Sequence, residues 1–135
     1  MDLLAHSPLT TFGSAVSLAV YFGTVVHAGS ARGKAGLKPP AMTGDLGFEC
    51  ANRVHQNTLE QLIVFLPALW LARGSGAADV ATAGAALAWS VSRAIYGYFY
   101  PAGTRAVGAI PSFLLSIGLI GYTGVVSFSA AIKTL

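Results

Sequence analysis

The fold class this sequence predicts is all-α, an integral membrane four-helix bundle, and three observations predict it. Hydrophobic residues make up 54% of the 135 and charged residues only 10%, far below the roughly one-quarter charged fraction of a soluble domain. Four stretches are each apolar enough, and close enough to the about 20 residues that hydrocarbon requires, to read as membrane spans. The connections between them are short and carry Gly and Pro, so consecutive helices should pack antiparallel as neighbours in one domain over residues 1–135.

The first span runs from about Leu9 to Ala28, after Ser7-Pro8 and before a cationic loop with Arg32, Lys34 and Lys38. It is expected to be retained rather than cleaved, because the leader carries Asp2 and no Lys or Arg, the wrong charge for a signal peptide. The second span, about Phe48 to Ala72, is purely apolar only from Leu62 onward, so its first half must shelter polar groups. The third, about Ala77 to Tyr100, is rich in small residues such as Ala83, Gly84 and Ala86 that let membrane helices approach closely. The fourth runs from about Val107 to Ile132. Pro67 and Pro111 fall inside spans, which membrane bundles tolerate when neighbours satisfy the freed carbonyls. Asp79 at the start of the third span reads as a helix cap.

Composition excludes several functions. The net charge of +3 comes from cations spread singly, with no run or stripe to track phosphates, which argues against nucleic acid. The single cysteine, Cys50, permits no internal disulfide and has no metal-ligand spacing to His. Four spans without repeats or paired broken helices lack the signature of an alternating-access transporter. Arg32, Lys34, Lys38 and Arg105 fall on one side of the membrane and only Arg73 and Lys133 on the other, which makes the first side cytoplasmic and puts both termini outside.

The chemistry concentrates in the second span. Glu49, Arg53, Asn57 and Glu60 are four, four and three residues apart, so at about 100° per residue they share one helical face. That face should point into the bundle or between subunits, because a charge at mid-bilayer costs roughly 3 kcal/mol unless it is paired or serves a site. Two readings stay open on spacing alone: Arg53 neutralises Glu49 or Glu60 while Asn57 bonds a neighbouring helix, or the group serves a ligand. Arg93, one turn before Tyr96, and Arg105 add cations on the same membrane side. Such a surplus beside tyrosines suits an anionic ligand, although Arg93 and Arg105 snorkelling to the interface would also account for them. His55 falls on the opposite face, where a helix contact or a lipid-headgroup contact is a simpler role than catalysis.

The pattern Arg53-Val54-His55-Gln56-Asn57-Thr58-Leu59-Glu60 on a second span resembles the MAPEG family, the membrane-associated proteins in eicosanoid and glutathione metabolism. Ser30-Ala31-Arg32, Pro39-Pro40, Thr43-Gly44, Phe48-Glu49 and Gly97-Tyr98 seven residues before Arg105 extend the likeness over nearly the whole chain, towards the leukotriene C4 synthase branch and microsomal glutathione transferases. The resemblance implies a homotrimer that binds glutathione between subunits near the cytoplasmic face. It implies that Arg53, Asn57, Glu60 and Tyr98, with Arg93 nearby, hold the tripeptide, that Arg32 reaches in from a neighbour, and that Arg105 faces the thiol as the catalytic residue. A transferase or peroxidase acting on a lipophilic electrophile follows, placed by composition and likeness in a bacterial inner membrane.

Several positions depart from the branch pattern. Gly33 stands where a second arginine is usual, and Gln61 and Ala94 stand where tyrosines are expected. These departures motivate an alternative, a non-catalytic lipid-binding or scaffold protein on the same fold.

Overall fold

The computed structural model describes residues 3–104 and 106–134. After a single turn at Leu3–His6, four long helices follow: α1 (Pro8–Lys34), α2 (Leu46–Gly74), α3 (Asp79–Phe99) and α4 (Ala106–Ile132). A 3₁₀ turn, Tyr100–Ala102, joins the last two, and no strand occurs among the described residues. By length and composition α1 and α4 can each cross a bilayer. The other two are long enough but less apolar, and in α2 the cause is its charged first half.

Local chemistry explains the helix ends. Pro8 opens α1, where its missing N–H costs nothing and its fixed φ suits the first turn. The apolar stretch closes at Ala28, yet the helix runs on to Lys34 with Arg32 in its last turn. Asp45 caps α2 by accepting from the Phe48 amide at 2.8 Å, and Glu49 reaches back to the Gly44 amide at 2.9 Å. Pro67 and Pro111 lie within continuous helices.

The bundle is apolar outside and mixed inside, where polar side chains are buried beside an apolar core. Phe12, Phe22, Ile63, Val91, Ile117 and Phe128 are exposed, while Thr10, Ser17, Thr58, Ser90, Arg93 and Ser112 are buried. That inversion of the usual soluble pattern suits a lipid exterior. With no hydrophobic drive between helices in lipid, close packing and hydrogen bonds hold them together. Phe65 and Trp89 stack at 4.8 Å between α2 and α3, with Leu62, Leu69 and Ala86 around them. Helices α1 and α3 run parallel and meet closely. Thr10 bonds Thr82, Ser17 bonds Ser90 at 3.0 Å, and a Cβ on Gly13 would stand 2.8 Å from that of Ala86.

Asp79 caps a helix, but not its own. It opens α3 and accepts from the backbone amides of Leu9 and Thr10 at 3.0 and 2.8 Å, so it satisfies donors that α1 leaves orphaned. Arg73 ties the same end together by donating to the His6 carbonyl at 2.6 Å and lying 4.0 Å from Asp79.

Candidate functional site

Helix α2 buries Val54, Thr58, Leu62 and Phe65 against the bundle. At about 100° per residue, Glu49, Arg53 and Glu60 project nearly the opposite way. Arg53 and Glu60 are accordingly exposed, with Glu49 and Asn57 half-buried. Of the two directions the spacing left open, the stripe does not point into its own bundle. It faces outward from the bundle, beginning near the end that holds the Arg32 loop. Glu60 lies 14 residues after Leu46, or about 21 Å along the helix at 1.5 Å per residue.

The carboxylates do not neutralise the arginine. Arg53 donates to the Gln56 side chain at 3.3 Å, Glu49 is engaged at Gly44, and no carboxylate among the described residues pairs with Arg53. Asn57 joins the outer face to the interior. Its Nδ2 donates to Glu60 Oε2 at 3.4 Å, and its Oδ1 accepts from Arg93 Nη2 at 3.0 Å.

Arg93 is only 1% exposed, so it does not snorkel to an interface. It also donates to Thr58 Oγ1 at 2.9 Å and Ser112 Oγ at 3.5 Å, and its guanidinium lies 3.9 Å from the Tyr96 ring centroid. One cation thus links α2, α3 and α4 through neutral acceptors, with no carboxylate partner among the described residues. Its guanidinium is held behind Asn57 by these acceptors and the Tyr96 ring. Of the side chains that hold it, Thr58 entered the sequence reading only as part of the Arg53–Glu60 pattern, and Ser112 was not singled out. Thr58 carried a faint signal as a polar residue on the apolar face of α2; Ser112 carried none.

The remaining predicted site residues stand apart within the chain. Arg32 folds onto its own loop, donating to the Ala41 carbonyl at 2.8 Å and covering the Phe48 ring at 4.5 Å. Tyr98 is 81% exposed on α3, packs edge-on against Phe99, and makes no hydrogen bond among the described residues. Arg105 lies outside the described residues. His55 stacks on Tyr21 of α1 at 5.5 Å, the helix contact expected of it. An outward row of cation, amide and carboxylate fixed from behind by a buried guanidinium can bind a zwitterion carrying carboxylate and ammonium groups.

The MAPEG family model matches residues 10–126. An uncharacterized protein of Synechocystis sp. is 38% identical over 113 residues, covering 79% of this chain and 82% of that protein. Microsomal glutathione S-transferase 2 of Mus musculus is 38% identical over 92 residues, covering 68% of this chain and 60% of the mouse protein.

Proposed function

Because the chain belongs to the MAPEG family, we propose that it is a membrane-embedded, glutathione-dependent transferase or peroxidase whose four helices all cross the bilayer. The observation that carries the reading is the outward row Arg53, Asn57 and Glu60, with Asn57 fixed by Arg93. Glutathione brings two carboxylates and an ammonium. Arg53 suits a carboxylate, Glu60 the ammonium, and Asn57 either a carbonyl or an amide. The similarity to microsomal glutathione S-transferase 2 supports the same cosubstrate.

A charged row facing lipid would be costly, which favours cover by further copies of the chain. In a homotrimer a neighbour's Arg32 and Tyr98 would complete the site, and Arg105 would face the thiol near the cytoplasmic side. A thiol of pKa about 8.5 is mostly protonated at neutral pH, and a guanidinium lowering it by about two units supplies roughly 2.7 kcal/mol of thiolate stabilisation. The thiolate sulfur then attacks an electrophilic carbon or a peroxide oxygen arriving from the bilayer. A C–S or S–O bond forms as the leaving oxygen or halide departs with the electron pair.

The test is glutathione binding by calorimetry to detergent-purified protein, read with difference absorbance at the thiolate band. Saturable binding with a thiolate signal that disappears in Arg105→Ala is the expected result. Absence of binding at millimolar glutathione would overturn it and leave the lipid-binding alternative.

A further inference from the structure

The loop between α1 and α2 is fastened at both ends. Where α1 stops, the Leu37 amide donates to the Arg32 carbonyl at 3.2 Å and the Gly36 amide to the Gly33 carbonyl at 3.1 Å. Where α2 starts, Asp45 and Glu49 hold the Phe48 and Gly44 amides. Between these anchors the loop turns two acceptors on the Arg32 guanidinium. Nη1 donates to the Ala41 carbonyl at 2.8 Å and Nη2 to the Met42 sulfur at 3.7 Å, while the Phe48 ring lies beneath the cation. All three holders are neutral, and no carboxylate among the described residues pairs with Arg32. A thioether is a weak acceptor, so Met42 is the soft point of this clamp. It is also 47% exposed, which opens it to reagents from outside the bundle.

We propose that Met42 is a peroxide-sensitive modification site whose sulfoxide fastens Arg32 to its own loop and so withholds it from ligand. The oxidant is a hydroperoxide. The thioether sulfur gives an electron pair to the terminal peroxide oxygen: an S–O bond forms, the O–O bond breaks, and the remainder leaves as an alcohol that takes the proton. Sulfur is oxidised as the peroxide is reduced, with no further co-reactant. The new oxygen is a far better acceptor than the thioether it replaces. Bent off a sulfur that already stands 3.7 Å from Nη2, it comes within about 2.9 Å of that nitrogen without moving the loop. The effect on ligand rests on the proposed glutathione reading, in which Arg32 leaves its loop to reach a site on a neighbouring copy. Loop and ligand then compete for one guanidinium. A carboxylate outcompetes a carbonyl and a thioether by its charge, and a sulfoxide in place of the thioether narrows that advantage.

The experiment uses the full chain in detergent carrying Cys50→Ala, which removes the single thiol that peroxide would also oxidise. Hydrogen peroxide is added until peptide mass spectrometry finds Met42 converted to sulfoxide, and the rate at which phenylglyoxal modifies Arg32 is read by the same method. Oxidation should slow that rate about threefold to tenfold, the order of one hydrogen bond. Methionine sulfoxide reductases A and B should restore it. Met42→Leu, which keeps Met1 as the remaining methionine, should not respond to peroxide. A rate unchanged or raised by full conversion would overturn the proposal, as would equal slowing in Met42→Leu. Glutathione Kd by calorimetry reads the effect on ligand, and it should rise about threefold to tenfold on oxidation and return with the reductases. A Kd indifferent to oxidation beside slowed Arg32 modification would overturn the link to ligand. Unoxidised protein that binds no glutathione would instead sink the glutathione reading, and the phenylglyoxal rates would still decide whether Met42 controls Arg32.

Discussion

Arg93 and Asn57 are 36 residues apart in sequence and joined by a 3.0 Å hydrogen bond from Nη2 to Oδ1, which fixes which end of the Asn57 amide faces Glu60. Substituting Arg93→Lys keeps the buried charge but loses the planar fork that serves Asn57, Thr58 and Ser112 together. Losing one such constraint at about 1.4 kcal/mol should weaken glutathione binding about tenfold. Calorimetric titration of the variant checks it, and an unchanged Kd would remove Arg93 as a positioning residue.

Arg53 is exposed and among the described residues bonds only to Gln56, so its removal leaves the bundle's interior untouched. Arg53→Ala should keep the melting temperature within a degree or two while costing one charge-assisted bond to ligand. At about 1.5–3 kcal/mol that is roughly a 10- to 150-fold loss of glutathione affinity. A large fall in melting temperature with affinity intact would instead make Arg53 a structural residue at a subunit contact.

The sequence made some of this legible and hid the rest for identifiable reasons. Hydropathy located α1 and α4, and spacing put Glu49, Arg53, Asn57 and Glu60 on one face. Periodicity fixes relative angles only, so whether that face looked inward or outward depended on where α2 buries Val54, Thr58 and Leu62. The partners of Arg93 come from three helices, a nonlocal arrangement with no local pattern. Asp79 has the chemistry of a cap at a helix start, but parallel docking of α1 beside α3 gave it a neighbour's amides.

That exchange of caps makes Asp79 a stability residue remote from the ligand face. Asp79→Ala leaves the Leu9 and Thr10 amides without their acceptor, which should destabilise the protein. Thermal unfolding in detergent should show a clear drop, with glutathione affinity of the folded fraction unchanged. A variant that melts like the parent would mean water takes over the Asp79 contacts at this exposed end.

Gly108 supports the corresponding contact on the other side of α3. It is buried, and a Cβ there would collide with the Ser92 carbonyl and the backbone nitrogen and Cα of Tyr96. All three obstacles are backbone, which cannot rotate aside, so Gly108→Ala must push α4 from α3. Overpacking of this kind typically costs about 1–3 kcal/mol. The displacement also moves Ser112, one turn along α4, from Arg93 Nη1, which it already meets at only 3.5 Å. Gly108→Ala should therefore lower both the melting temperature and, more weakly, glutathione affinity. Gly118→Ala is the control, because a Cβ at Gly118 would meet nothing within 4 Å and neither quantity should move. Equal behaviour of the two variants would mean that α3 and α4 are not held together at this crossing.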